Sequence, residues 1–183
     1  MSELLVDTIS KDLIKKIKDI AFLKGEFTTR AGKKTDYYID KYLFETTPEI
    51  LDEVTDAIVS CMPDAETYDR IAAPEVGAVS LAAVVSIKVN KPFVIIRKEN
   101  KGYGTSQLIE GNYKSGESMV MLEDVLTTGG AAIRAANILV ENKVTINKII
   151  GVIDREEGAI QNIKDLGWEA IGLIKASDLK AVQ

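Results

Sequence analysis

From residue 70 onward, short apolar runs alternate with stretches whose apolar positions recur every three or four residues. The runs cover 70–73, 93–97, 119–122, 148–153 and 170–174, and helical patterns fill 77–88, 131–142 and 157–166. Runs such as FVII and VML are apolar at every position, as strands buried on both faces of a parallel sheet must be. Their alternation with helices predicts an α/β fold: a doubly wound, mostly parallel, five-stranded sheet. Before residue 70 the pattern differs. Ser10 caps a helix through Leu13, Ile14, Ile17, Ile20 and Ala21, with Gly25 ending it. The segment FTTRAGKKTDYYID (27–40) then reads as a hairpin, and Thr47-Pro48 opens a second helix through Ile50, Leu51, Val54, Ala57 and Ile58. The expected organisation is one domain over 1–183, with a small N-terminal hood mainly from 1–45 and a core of about 46–183.

In such sheets ligands sit at the carboxyl ends of the strands. One connection there is unusually long. Between Arg97 and Met119 the chain is polar, bears Gly and Lys, and carries no helical pattern. A loop of that length in a compact domain is commonly a lid or a binding loop.

Composition removes whole classes of chemistry. The 183 residues are 46% apolar and 28% charged, an ordinary balance for a globular chain, but none is a histidine. That excludes a Ser-His-Asp triad, a Cys-His pair and an H-E-x-x-H zinc site. Cys61 stands alone, so there is no internal disulfide, and its spacing after Ile50, Val54 and Ile58 marks helix packing. A net charge of −5 argues against a broad nucleic-acid surface. The start, MSELLVDTISKD, does not read as a secretory signal, and the longest apolar run, 76–87, is shorter than the ~20 residues of a membrane span. The expectation is a cytoplasmic protein with no membrane and no nucleic-acid partner.

The densest candidate chemistry lies in VMLEDVLTTGGAA, residues 120–132. A buried strand runs into Glu123 and Asp124, then two threonines, two glycines and a helix start. Backbone amides at Gly129 and Gly130, the Thr127 and Thr128 hydroxyls and the helix dipole suit a phosphate dianion. The neighbouring carboxylates suit sugar hydroxyls. Spacing alone equally allows a plain helix cap with solvated acids. It is neither a Walker loop, G-x-x-x-x-G-K-S/T, nor a G-x-G-x-x-G fingerprint. Arg97, Lys98 and Lys101 add a cationic cluster beside Gly102 and Gly104, able to neutralise a leaving anion or simply to be a solvated basic loop.

The run VMLEDVLTTGGAA resembles the phosphoribosyl-diphosphate (PRPP) signature of type I phosphoribosyltransferases. Three further segments are similar to the orotate branch of that family: FTTRAGKKTDYYID to its hood motif, RKENKGYGTSQLIEG (97–111) to its catalytic loop, and IDREEG (153–158) to its base-site segment. The four stand in family order across essentially the whole chain. The resemblance implies the type I phosphoribosyltransferase fold and transfer of ribose 5-phosphate from PRPP to orotate, giving orotidine 5′-monophosphate and pyrophosphate with Mg²⁺, in UMP biosynthesis. It implies PRPP contacts from Arg97, Lys98, Lys101, Tyr103, Glu123, Asp124, Val125, Leu126, Thr127, Thr128, Gly129, Gly130 and Ala131. Lys98, Lys101, Glu123 and Asp124 would be the catalytic groups. Orotate would meet Thr127, Arg155, Arg30 and Tyr38, with Tyr37 as readily a packing residue. Mg²⁺ would be held mainly by substrate and water. The resemblance further implies a homodimer whose 97–111 loop serves the neighbouring subunit.

Two departures stand out. Tyr103 occupies a position where the family commonly has histidine, and Gly77, in APEVGAVSLA, one where many members have a lysine on the diphosphate. A transferase for another base, or a non-catalytic PRPP-binding regulator, are the other readings, and substrate screening separates them.

Overall fold

The computed structural model describes residues 9–28, 32, 34–99 and 107–183. Helix α1 (Lys11–Ala21) is capped by Ser10, whose hydroxyl accepts from the Leu13 amide at 3.0 Å, and it buries Leu13, Ile17 and Ala21 at four-residue spacing. The helix stops at Ala21 rather than at Gly25. Strand β1 (Phe22–Thr28) begins at once and carries Gly25 at an irregularity in its pairing with β2 (Lys34–Ile39). The predicted hairpin is therefore present, but it starts earlier. A five-residue helix that the sequence pattern does not announce, α2 (Lys41–Glu45), follows, capped by Asp40. Pro48 opens α3 (Pro48–Ser60), and Cys61 closes it, buried.

The core strands are β3 (Arg70–Pro74), β4 (Phe93–Ile96), β5 (Ile109–Glu110), β6 (Ser118–Leu126), β7 (Thr145–Asp154) and β8 (Ala170–Lys175). They form one sheet in the order β5-β4-β3-β6-β7-β8. Five strands are mutually parallel, as expected. The two-residue β5, inside the segment read as a loop, adds an antiparallel edge through Ile95↔Glu110 and Ile96↔Ile109. Helices α4 (Gly77–Val89), α5 (Gly130–Glu141), α6 (Ala159–Lys164) and α7 (Ala176–Ala181) complete the chain.

The double winding is visible in which strand residues pack together. Ile71 and Ala73 of β3, with Val120 and Leu122 of β6, join one apolar cluster with α1, α3 and α4. The intervening Ala72, Met119 and Met121 join a second with α5 and α6. Successive side chains on a strand point to opposite faces, so two covered faces demand apolar residues throughout. Strand β6, buried almost from end to end, sits between β3 and β7. Glu123 and Asp124 belong to that strand rather than to a loop beyond it, which fixes their backbone in the sheet.

Candidate active site

A cleft of about 430 Å³ opens where the hood meets the carboxyl ends of β3, β4, β6 and β7. Asp124 is its most constrained acid. Its Oδ2 is paired with Nζ of Lys41 from α2, and its Oδ1 accepts from the Val125 amide. The Asp124 side chain is 5% exposed and that of Lys41 is 27% exposed. Burial lowers the Lys41 ammonium's pKa, but the charge and hydrogen bond of Asp124 more than offset this, so Lys41 is raised and stays protonated.

Two neighbouring carboxyls are both pushed up. Glu123 is pushed up to about 8, first by burial and then by the charge of Asp124 beside it. Glu45, on the last turn of α2, is also pushed up to about 8 by burial and by Asp124. Each has a buried oxygen with no hydrogen-bond partner, Oε2 of Glu123 and Oε1 of Glu45. At neutral pH the cluster is thus one ion pair beside two neutral acids, and a protonated Glu123 can donate to a sugar oxygen.

The sign of the pH effect follows directly. A carboxyl of raised pKa is protonated when folded and ionised when unfolded between about pH 4.5 and 8, so folding loses stability as pH rises through that window. Glu45→Gln is expected to raise the melting temperature at pH 8 by the equivalent of about 1–3 kcal/mol and to have little effect at pH 4.5. Melting curves at the two pH values check this; a gain independent of pH would remove Glu45 as the cause.

The turn after β6 has the geometry of an anion cradle. Gly129 is the residue before α5 and adopts φ +82°, and a Cβ there would stand 3.3 Å from the Ala159 carbonyl oxygen. Glycine is required both for the turn and for that approach. Thr127 and Ala131 line the cleft, and Thr128 is exposed beside it, its carbonyl accepting from Asn162 Nδ2 at 2.9 Å. Val125 lines the cleft too. Leu126 differs from the expectation: its side chain is in the core, and it meets the site only through its carbonyl, which accepts from the Arg155 amide at 2.8 Å. Gly130 starts α5, near Arg134, a cleft residue that sequence reasoning passed over.

Arg155 closes the opposite wall. Its side chain is 10% exposed, pairs with Glu157 at 3.2 Å and stands 4.6 Å from the Tyr37 ring centre. Its Nε is buried without a partner. The guanidinium is thus held mostly out of solvent between Glu157 and Tyr37. Tyr37 is buried and stacks on Phe22, whereas Tyr38, 44% exposed, lines the cleft. Across from them Arg97 and Lys98 reach the rim, with Glu75 bridging both: Oε2 to Arg97 Nη1 at 3.5 Å and Oε1 from the Lys98 amide at 2.9 Å. Arg30, Lys101 and Tyr103 lie outside the described residues.

The sheet order, the glycine turn at a helix start and the buried carboxylates define an α/β enzyme site for a phosphorylated sugar. Residues 44–166 match the phosphoribosyl transferase domain family. The orotate phosphoribosyltransferase of Methanocella arvoryzae is 39% identical over 174 residues, 95% of this chain and 97% of that protein. That of Natronomonas pharaonis is 41% identical over 173 residues, 94% of this chain and 98% of that protein. The structure of Leishmania donovani UMP synthase aligns with a TM-score of 0.81 and 27% identity over 93% of this chain; the chain spans only 37% of that one. The chain belongs to the orotate phosphoribosyltransferase family of type I phosphoribosyltransferases.

Proposed function

We propose that this cleft transfers the 5-phosphoribosyl group of PRPP to orotate, with Mg²⁺, and that the reacting unit is a homodimer. The observation that carries the reading is the convergence of Asp124, the Gly129 turn and the buried Arg155 on one cleft. The turn at Thr127, Thr128, Gly129, Gly130 and Ala131 takes the 5-phosphate on backbone amides. Asp124 and Glu123 take the ribose hydroxyls, one as acceptor and one as a protonated donor. Arg155 presents its fork to the planar, carboxylate-bearing base, a geometry lysine does not reproduce.

The bond between C1′ and the diphosphate oxygen breaks with its electron pair leaving on the diphosphate. Positive charge then develops on the ribose, and a ring nitrogen of orotate attacks the opposite face. The charge of orotate sits on its carboxylate, and the proton on the attacking ring nitrogen passes to an oxygen of the departing diphosphate, so the step needs no histidine base. The enzyme's part is positioning and charge compensation. Arg97 and Lys98 stand on the side where the diphosphate leaves, and the family resemblance assigns Lys101 and Tyr103 to the same anion.

Among the described residues no group of three or more acidic or cysteine side chains forms a metal cage. Asp124 is neutralised by Lys41 and Glu123 by its proton, so the cleft suits an ion that arrives on its substrate. Mg²⁺ held by phosphate oxygens and water would supply charge neutralisation for the departing diphosphate. Among the described residues no helix is long and apolar enough to cross a membrane, and the reading has the enzyme working in the cytoplasm.

The assay is loss of orotate absorbance with PRPP and Mg²⁺. Turnover that vanishes with chelator and returns with Mg²⁺ is expected. PRPP consumption with adenine or hypoxanthine but not orotate would overturn the assignment.

A further inference from the structure

The ion pair between Lys41 and Asp124 stands in space that only a glycine leaves open. A Cβ on Gly77 would overlap Asp124 Oδ2 and collide with Lys41 Nζ. Gly77 is the first residue of α4, immediately after β3, and all three residues line the cleft. Lys41 reaches this point from the hood side, 83 positions away from its partner in sequence. The pairing holds a cation in the cleft beside Asp124.

We propose that Lys41 is a substrate-binding residue that exchanges partners. When the ribose hydroxyls of PRPP engage Asp124, the ammonium moves from that carboxylate to the diphosphate oxygens. This rests on the reading of the cleft as a PRPP site. A four-carbon stem permits the move without backbone change, and an ammonium is a point charge that accepts any oxygen geometry. Exchange also limits the electrostatic cost, because the partly buried cation keeps an anion beside it throughout. Gly77 is then the complement of Lys41: the helix start gives up its side chain so that the lysine can arrive from the other side.

Two ligands separate this role from mere support of Asp124. Ribose 5-phosphate carries the hydroxyls and the 5-phosphate; Mg-pyrophosphate carries only the leaving group. In Lys41→Met, calorimetry is expected to show Mg-pyrophosphate and PRPP binding weakened about tenfold or more, with ribose 5-phosphate within about twofold of the parent. Lys41→Gln, which keeps a hydrogen-bond donor for Asp124 and guards against unfolding, should show the same split. Ribose 5-phosphate weakened as much as pyrophosphate, or neither ligand affected, would overturn the exchange. A parent protein that binds neither ligand would instead overturn the PRPP reading itself.

Discussion

Asp124→Asn is expected to lower turnover by about 10²–10³-fold, the range for loss of one oriented electrostatic group, while the protein stays folded. The substitution preserves shape, and the strand that carries position 124 is held by β3 and β7. What changes is charge. The ribose hydroxyls lose an anionic acceptor, and Lys41 loses the partner that holds it in the cleft. Lys41 is partly exposed, so it can turn to water instead of unfolding the site. Steady-state kinetics with orotate and PRPP, alongside a melting curve, check this. Parent-like turnover would take Asp124 out of the reaction. The same variant tests the shared loop: mixed with Lys101→Ala, it should regain part of the lost activity through hybrid dimers, and no recovery after verified subunit exchange would count against sharing.

Arg155→Lys should raise the KM for orotate by about 10–100-fold and leave the KM for PRPP within about twofold. The charge is kept, so simple attraction survives. The planar fork is lost, and with it the Nε that is buried without a partner. The guanidinium lies over the Tyr37 ring with its carbon 4.6 Å from the ring centre, and a lysine ammonium has no planar fork to present there. Equal effects on both substrates would mean that Arg155 shapes the cleft as a whole and does not recognise the base.

Much of this was legible in the order of residues. Apolar runs from 70 onward located the five parallel strands because a doubly covered sheet admits few polar side chains. The phosphate turn was legible because its chemistry is contiguous: strand, acids, threonines and glycines follow one another from 120 to 132. What could not be read is what depends on distance. Helix α2 is a five-residue element, too short to show a period, and Lys41 gains its meaning only from contact with Asp124 and Gly77. One signal was available: a glycine at 77, where the family pattern that the sequence resembles has a lysine, invites a search for a cation arriving from elsewhere. Strand β5 has two residues and exists only by pairing with β4. The protonation of Glu45 and Glu123 depends on burial, which a side chain's neighbours in sequence do not reveal.

The hairpin at the front of the chain has a consequence for how such enzymes diversify. The match to the domain family begins at residue 44, so Tyr37, Tyr38 and Lys41 all precede it. On the proposed reading the sheet and the Gly129 turn hold the donor together with Lys41, and Tyr38 on the ribbon offers part of the acceptor's wall. Mutation can change exposed ribbon positions such as Tyr38, whereas Tyr37 and Ile39 are packed into the same core as β3 and β6. New acceptors would then be explored at the hood while the chemistry at the ribose carbon is inherited intact.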